Sequence, residues 1–259
     1  MKVSELASVD PRAKIAEGVE IGPFTTIYGD VEIEEGTWIG PNVTIMDGAR
    51  IGKHCKVFPG AVISAIPQDL KFEGENSTVE IGDYTTVREC CTINRGTKDR
   101  MTTKVGSHCL LMAYVHIAHD VIVGNHCILA NTANIAGHVV IEDWVIVEGV
   151  VAVQQFVRIG QHSFVAGGSL VRKNVPPYVK AAREPLSFAG VNTIGLRRRG
   201  FADTTIAQIE DVYRTLYVHN SNMTQAIKVA DVELPMSVEK ENILDFIKES
   251  TKGIIRGPL

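Results

Sequence analysis

The sequence lacks the features of several protein classes. It has no run of 18 apolar residues, so no transmembrane helix is expected. The N-terminus, MKVSELASVDPRAK, has neither the apolar segment nor the shape of a signal peptide. Lysine and arginine number 26 against 30 acidic residues, a net charge of −4 that does not suggest a nucleic-acid-binding protein.

Cysteine is also scarce, and its spacing indicates neither a metal site nor a disulfide framework. Four of the five cysteines fall on small-residue positions of the repeat described below, which predicts core packing; they are Cys55, Cys91, Cys109 and Cys127, and Cys90 is the exception. This usage favours a reducing, cytoplasmic compartment. G-x-S-x-G, P-loop and G-x-G-x-x-G motifs are absent, so covalent serine catalysis and nucleotide binding by those routes are not expected.

What the chain does have is an aliphatic residue at nearly every sixth position from Val3 to Val171. Of the 29 positions in this series, only Asp69, Glu75 and Asp99 are not aliphatic. A period of six fits neither an α-helix nor simple strand alternation, and it is typical of a hexapeptide β-helix. Three hexapeptides make one triangular coil of 18 residues, so the series predicts nearly ten coils, about 45 Å tall, with the aliphatic side chains inside.

Glycine commonly follows the aliphatic position, at residues 22, 40, 52, 82, 106, 124 and 160. This pattern predicts a corner that needs either positive φ or close approach of backbone.

Two stretches break the repeat, at residues 65–78 (AIPQDLKFEGENST) and 96–104 (GTKDRMTTK). We interpret the first as a loop excursion and the second as another loop or an irregular coil. Loops on a rigid repeat scaffold are common places for binding residues. Tolerated surface insertions are the alternative interpretation. Pro176 and Pro177 are predicted to close the β-helix, because proline cannot donate to a stacked strand.

After a connection over residues 178–200 the period becomes helical. Apolar residues at 3–4 spacing predict a helix within residues 202–220, with Asp203 or Thr204 as its N-cap. Two further helices are predicted over residues 224–232 and from Ser237. The predicted architecture is therefore an all-β left-handed parallel β-helix, residues 1–190, followed by a small C-terminal α-helical domain, residues 191–259.

Stacked coils place residues 18 apart directly above one another. His54, His108, His126 and His162 fall in one such column. We interpret them as repeated turn residues, with a metal-binding column as the alternative.

A second column contains His119, Gly137 one coil above it, and Gln155 two coils above it. Asp120 and His138 directly follow the first two. An imidazole titrating near neutrality and an available glycine N–H are suited to act as a general base and an oxyanion donor. Turn histidines without a chemical role are the alternative.

The chain closely resembles the UDP-N-acetylglucosamine 3-O-acyltransferases that begin lipid A biosynthesis. The matching stretches are IGPFTTI, QDLKFEGE, EIGDYTTVRECCTINRGT, VHIAHDVIVGNHCILANTANIAGHV, VPPYV and GVNTIGLRRRGF, followed by the helical tail. General hexapeptide transferases lack the QDLK loop and the LRRRGF junction. The resemblance implies a homotrimer with active sites between neighbouring prisms. It also implies transfer of an R-3-hydroxyacyl chain from acyl carrier protein to the 3-hydroxyl of UDP-N-acetylglucosamine, without cofactor or metal.

The resemblance further implies roles for individual residues. His119 matches the family's general base, Asp120 its orienting carboxylate, and Gly137 its backbone oxyanion donor. The residues implied to bind substrate are Gln68, Asp69, Lys71, His116, His138, Gln155, Gly167, Asn192, Arg198 and Arg199. Among them, Asp69 would bind sugar hydroxyls, and Gly167 would leave the acyl groove open for a long chain. Asn192, Arg198 and Arg199 would face the acyl and the nucleotide or carrier-protein portions.

The expected mechanism is direct attack by the sugar hydroxyl, without an acyl-enzyme. The sequence departs from the family's pattern at Gln154, where many relatives have histidine, and at Ile194, where they have glutamate. The same chemistry on a 3-amino sugar remains an alternative.

Related scaffolds suggest functions of a different kind. One is that of a zinc enzyme resembling the γ-class carbonic anhydrases, with His116, His119 and His138 as ligands. Another is that of a non-catalytic β-helix that binds an acyl carrier. A sister transferase acting on the glucosamine 2-amine is disfavoured, because no uridine-binding domain precedes the coils at Val3.

Overall fold

Short strands and a few helices make up the computed structural model, which describes residues 2–218 and 222–257. The strands in this part of the chain are β1 (Lys2–Val3), β2 (Ser8–Val9), β3 (Lys14–Ile15), β4 (Glu20–Ile21), β5 (Thr26–Ile27), β6 (Val31–Ile33), β7 (Trp38–Ile39), β8 (Thr44–Ile45), β9 (Ala49–Ile51), β10 (Lys56–Val57), β11 (Val62–Ala65), β12 (Thr78–Ile81), β13 (Thr86–Val87), β14 (Thr92–Asn94), β15 (Thr102–Val105), β16 (Leu110–Leu111), β17 (His116–Ile117), β18 (Ile122–Val123), β19 (Ile128–Leu129), β20 (Asn134–Ile135), β21 (Val140–Ile141), β22 (Ile146–Val147), β23 (Ala152–Val153), β24 (Arg158–Ile159), β25 (Phe164–Val165), β26 (Leu170–Val171), β27 (Val179–Ala182) and β28 (Ser187–Val191). The helices are α1 (Thr193–Arg198), α2 (Asp203–Tyr217), α3 (Met223–Glu233) and α4 (Val238–Lys248).

Consecutive strands belong to different sheets, so each of three sheets collects every third strand. Sheet A has the order β1-β4-β7-β10-β13-β16-β19-β22-β25-β27-β28, sheet B the order β2-β5-β8-β11-β14-β17-β20-β23-β26, and sheet C the order β3-β6-β9-β12-β15-β18-β21-β24. All neighbours are parallel except β27 and β28. The result is the predicted left-handed parallel β-helix. We call its edges AB, BC and CA, after the two sheets that each set of turns joins.

The predicted aliphatic positions fill the interior of this prism. Ile39, Ile63 and Ile117 are among those with no exposed surface. Burial of each such side chain stabilises the fold by about 1.5–3 kcal/mol. Val3, in the first coil, is 37% exposed because no coil lies beneath it.

Within residues 3–171, the number of coils is smaller than the period predicts. Strands β1–β26 follow the rotation A, B, C, which gives eight complete coils and two sides of a ninth. The three polar positions of the series, Asp69, Glu75 and Asp99, lie in loops that leave the prism. The prediction of nearly ten coils was wrong because it counted these loop positions as stacked strands.

Two loops leave the prism where the repeat breaks, and both lie on the BC edge. Across the loop 66–77, Ile51 pairs with Ile81. Across the loop 95–101, Ile93 pairs with Ile117. An undisturbed coil joins Ile117 to Ile135. Compared with such a coil, the first loop adds two hexapeptide lengths and the second adds one, so the period continues unbroken beyond each loop.

The glycines after the aliphatic positions are required by close approach of the next coil. A Cβ on Gly106 would lie 2.5 Å from the carbonyl oxygen of Gly124, which no side chain tolerates. None of these glycines has positive φ; that conformation falls two residues later, as at His108 and His126. Of the two reasons predicted for glycine here, only close approach is confirmed.

The histidine column on the CA edge is part of a mixed aromatic ladder. Stacked rings with centroids 4.1–6.1 Å apart run through His54, Tyr84, His108, His126, Trp144, His162 and Tyr178. Because the insertions shift the spacing, Tyr84 rather than a histidine stacks on His54. The rings pack face to face along one edge of the prism.

The chain continues past the double proline differently from the prediction. β27 follows Pro177 and stacks in parallel on β25, so the prolines do not end the stacking. β28 then turns back antiparallel to β27. The predicted domain boundary between residues 190 and 191 falls within β28 and stays a prediction.

The helical end of the chain contains one more helix than predicted. α1 occupies part of the predicted connection, with Asn192 as its N-cap. α2 begins at Asp203, but its N-cap is Ala202 and makes no side-chain capping bond, so the predicted cap was wrong. Ser237 caps α4 through the Lys240 N–H, as predicted for its start. The last two residues of the predicted 202–220 stretch lie outside the described residues. Within residues 2–218 and 222–257, no helix is long and apolar enough to cross a membrane.

Candidate active site

His119 lies in the BC-edge turn after β17, directly above the two loops. Its side chain is only 6% exposed, and its Nδ1 lies 2.8 Å from Asp120 Oδ2. A carboxylate only accepts hydrogen bonds, so in the neutral imidazole Nδ1 carries the proton and Nε2 keeps its lone pair. His119 therefore presents a basic nitrogen on the side away from Asp120.

Asp120 is fully buried and is kept ionised by its hydrogen bonds. Its Oδ1 accepts from the Thr97 N–H at 3.0 Å, and its Oδ2 accepts from the Thr97 hydroxyl at 2.6 Å. Burial raises the pKa of Asp120, but the hydrogen bonds from Thr97 and His119 outweigh it, so the net pKa is lowered. The carboxylate is thus a fixed negative charge behind the imidazole.

The loop 66–77 brings a second carboxylate to the other side of the ring. Asp69 Oδ2 lies 3.8 Å from His119 Nε2. Within the loop, Asp69 Oδ1 accepts from the Lys71 N–H at 3.0 Å, which orients the carboxylate. Asn94 ties down the start of the loop by donating to the Ile66 carbonyl at 2.6 Å. A small polar group beside Nε2 and Asp69 would therefore meet both a base and an acceptor.

His138 lies one coil above and faces the same carboxylates. Its ring is edge-on to His119 at 5.1 Å, and it stacks on Phe156 at 4.6 Å. Its Nδ1 lies 3.4 Å from Asp99 and its Nε2 3.9 Å from Asp120. Desolvation lowers the pKa of His138 despite these carboxylates, so the ring is mainly neutral near pH 7.

Gly137 leaves space for the His119 ring. A Cβ at this position would lie 2.7 Å from both Cε1 and Nε2 of His119, so only glycine fits here without displacing the ring. Among the described residues, no acceptor bonds the Gly137 N–H. The backbone of Gly137, whose N–H has no partner among the described residues, therefore lies close to the basic nitrogen.

Among the described residues, His119, Asp120 and His138 form a group whose ligand atoms lie within 4.8 Å of one another. The zinc alternative named His116 as a ligand, but His116 is not in this group. It projects from β17, where its Nδ1 hydrogen-bonds the Thr92 hydroxyl at 2.8 Å, and burial lowers its pKa.

Comparison with known proteins shows which family the chain resembles. Residues 174–255 match a family model described as domain 2 of UDP-N-acetylglucosamine O-acyltransferase. Residues 30–65 and 102–137 match the bacterial transferase hexapeptide model. An acyl-[acyl-carrier-protein]--UDP-N-acetylglucosamine O-acyltransferase from Thiobacillus denitrificans is 40% identical over 191 residues, which cover 73% of this chain and 74% of that protein. The chain belongs to this acyltransferase family.

Solved structures of this family superpose on nearly the whole chain. A UDP-N-acetylglucosamine acyltransferase from Bacteroides fragilis is 47% identical, with a TM-score of 0.97 over 98% of this chain and 99% of that one. The corresponding enzyme from Francisella novicida is 40% identical, with a TM-score of 0.95 over 99% and 94% of the two chains.

Three more residues implied by the family resemblance share the BC edge but make no side-chain hydrogen bond to His119 in the described part of the chain. Gln68 and Lys71 are exposed on the loop 66–77, and Gln155 is exposed one coil above Gly137. No side-chain hydrogen bond joins them to His119 or Asp120 in the described part of the chain.

Four implied site residues of the family lie on other edges of the prism. Gly167 is in an AB-edge turn, where its N–H donates to Glu148. Asn192 and Arg199 lie against the CA edge: the Asn192 amide donates to the His162 carbonyl, and Arg199 covers Trp144. Arg198 is exposed in α1 beside them. One chain therefore does not bring these residues to His119.

Residues that were not expected from the sequence also contact the site. Thr97 and Arg100 bond Asp120, and Phe156 stacks on His138. The only signal for the first two was their position in a predicted loop. Phe156 occupies the position one full coil after His138, so the stacking rule would have found it.

The buried cysteines belong to the core and not to this site. Cys91 is fully buried and donates to the Met112 carbonyl, and burial raises its pKa to about 11. The predicted core role of Cys55, Cys91, Cys109 and Cys127 is confirmed, since all four are buried.

Proposed function

We propose that this protein transfers an R-3-hydroxyacyl chain from acyl carrier protein to the 3-hydroxyl of UDP-N-acetylglucosamine, with His119 as general base. The observation that carries the proposal is the position of His119, with a buried carboxylate on Nδ1 and the backbone of Gly137 close to Nε2. Family membership supplies the class of donor and acceptor.

In the proposed reaction the sugar hydroxyl enters beside His119 Nε2 and loses its proton to that nitrogen. The resulting oxygen attacks the thioester carbonyl, and the Gly137 N–H stabilises the tetrahedral oxyanion. Asp120 stabilises the imidazolium that forms. Collapse expels the carrier thiolate, which takes the proton from His119, so the base is restored and the atoms balance.

Asp69 supports the acceptor assignment. Its carboxylate stands 3.8 Å across from Nε2 and accepts hydrogen bonds from hydroxyl groups. A neighbouring hydroxyl of the sugar bonded to Asp69 would fix the reacting oxygen against the base, which is worth a large rate factor.

Direct transfer, rather than an acyl-enzyme, is favoured by the surroundings of Nε2. In residues 2–218 and 222–257, no cysteine or serine side chain hydrogen-bonds His119. The nearby Thr97 hydroxyl is committed to Asp120, on the far side of the ring.

We also propose that the working enzyme is a homotrimer. The residues implied to bind the acyl chain and the nucleotide lie on the AB and CA edges, whereas His119 lies on the BC edge. A three-fold arrangement that sets one prism's BC edge against a neighbour would complete the site. This places each active site between two protomers.

A transfer assay tests the function. Purified protein is mixed with UDP-N-acetylglucosamine and a series of R-3-hydroxyacyl carrier proteins, and product mass is read directly. We expect one hydroxyacyl group per sugar, and a loss of about 10²–10⁴ in kcat for His119→Ala. Near-normal turnover of a folded His119→Ala protein would contradict the mechanism. Product only from the 3-amino sugar would change the acceptor.

Mixed trimers test the shared site. His119→Ala and Arg199→Ala proteins, each weakly active alone, are unfolded together and refolded. If protomers complete one another's sites, the mixture regains activity, because some sites then contain both wild-type residues. Activity no greater than the average of the two parents would exclude a shared site.

A further inference from the structure

The buried carboxylate behind His119 is held by one short insertion. The extra hexapeptide that leaves the BC edge after β14 forms the loop 95–101, which folds back over Asp120. Asp120 Oδ1 accepts from the Thr97 N–H and, at 3.2 Å, from the Arg100 N–H. The Arg100 guanidinium donates to the Asp120 carbonyl oxygen at 2.8 Å.

Oδ2 of Asp120 is the oxygen that matters for the base. It accepts both the Thr97 hydroxyl at 2.6 Å and His119 Nδ1 at 2.8 Å. Two donors therefore share one oxygen, and each limits how strongly and in which direction the other is bound. The orientation of the His119 ring thus depends on where Thr97 holds Oδ2.

The backbone of Asp120 is held as well. Its φ is +59°, the left-handed conformation that is costly for a residue other than glycine. Its N–H donates to the Thr103 hydroxyl at 2.8 Å, immediately after the loop. The coils above place His138 and Phe156 at the same turn position without any inserted loop. The insertion is therefore not needed for the turn itself.

We propose that Thr97 and Arg100 are positioning residues that act through Asp120 to set the orientation and basicity of His119. This inference rests on the proposed function for its kinetic consequence. Thr97 donates hydrogen bonds to both carboxylate oxygens of Asp120. Arg100 donates one to the carboxylate and one to the main-chain carbonyl of the same residue. Neither residue touches the reacting atoms.

The consequence has a definite sign. Without the Thr97 hydroxyl, Oδ2 of Asp120 accepts one hydrogen bond fewer. The carboxylate then binds the His119 Nδ1–H more strongly and stabilises the imidazolium. The acid limb of the kcat/KM profile, which reports deprotonation of the base, then moves to higher pH. A loop that served only to fill space would not move this limb.

The decisive variant is Thr97→Val, which keeps the shape and removes the hydroxyl. We expect kcat to fall about tenfold, which corresponds to one lost hydrogen bond, with the KM for the sugar nucleotide unchanged. The pH midpoint of the acid limb should rise by about half a pH unit. Thr97→Ser, which retains the donor, should restore both values.

Thr102→Val is the matched control. Thr102 lies in the adjacent strand and hydrogen-bonds Thr78 rather than Asp120. Its variant should therefore keep the wild-type kcat and the wild-type acid limb of the kcat/KM profile. Arg100→Ala provides a second route if Thr97→Val fails to fold, and a fall in kcat is expected there too. Wild-type kcat and an unmoved limb in a folded Thr97→Val or Arg100→Ala protein would overturn the inference.

Nuclear magnetic resonance titration of the histidine side chains separates the two proposals. The His119 midpoint should rise in Thr97→Val and remain unchanged in Thr102→Val, whether or not product forms. If wild-type protein makes no product with any donor, the proposed function fails, and the titration alone decides the role of Thr97. An unmoved His119 midpoint refutes that role.

Discussion

Gly137→Ala is the sharpest single test of the site, since it adds one methyl group beside the base. The new Cβ would lie 2.7 Å from Nε2 and Cε1 of His119, whereas ordinary contact begins at 3.4 Å. The imidazole must therefore withdraw by about 0.7 Å, but its Nδ1 is held at 2.8 Å by a fully buried carboxylate. The ring has little room to retreat without breaking that bond.

The expected result follows from this displacement. Misplacing a catalytic group by nearly 1 Å costs about 10²-fold in rate, so kcat should fall by about that factor. Overpacking of this kind costs roughly 1–3 kcal/mol of stability, which leaves a protein held by many stacked coils folded. The assay is kcat from the acyl-transfer reaction, with circular dichroism and oligomeric mass measured on the same sample.

Gly29→Ala is the matched control. Gly29 occupies the same turn position on the BC edge several coils below, where an added methyl group would meet the exposed end of the Arg12 side chain. That end can move aside, so near wild-type activity is expected. If folded Gly137→Ala retained activity within a factor of about three, the space beside His119 Nε2 would not be where the reaction occurs.

Two further predictions concern stability. Burial, followed by the charge of Arg199, lowers the pKa of His162 from 6.5 to about 4. As pH falls from 6.5 to 4, the unfolded chain therefore takes up a proton that the native protein does not, and stability falls. The urea midpoint should drop less over this pH range in His162→Gln than in the wild type. Equal slopes of urea midpoint against pH in the two proteins would contradict the burial argument. Ile117→Ala, at a site with no exposed surface, should cost about 2–5 kcal/mol in urea unfolding. Val3→Ala, at the open end of the prism, should cost much less, and equal losses would refute the picture of a core filled coil by coil.

Much of the fold was predictable because the period is a local property. A side chain at every sixth position points inward in each coil, so the aliphatic series predicts the strands and the core together. Counting 18 residues on from His119 likewise places Gly137 above it. The pairing of Ile117 on β17 with Ile135 on β20 confirms this register. α1 escaped prediction because it is only six residues long and contains Gly195, which leaves too short a pattern to read.

The six-residue count assigned residues wrongly where the chain leaves the prism. Asp69, Glu75 and Asp99 kept their places in the six-residue count but belong to loops, and His54 stacks on Tyr84 instead of a histidine. The insertions are multiples of the period, so their lengths did not show that these stretches, although predicted as loops, add no sides to the coils.

The sequence by itself therefore determined the stacked scaffold and the pair His119 and Gly137, since both depend on spacing along the chain. Only the tertiary structure decided what surrounds the pair. Asp69 reaches Nε2 and Thr97 reaches Asp120 because the two loops fold back along the BC edge, and loop paths follow no period. The separation of Gly167 and Asn192 from His119 likewise depends on which edge of the prism each turn occupies.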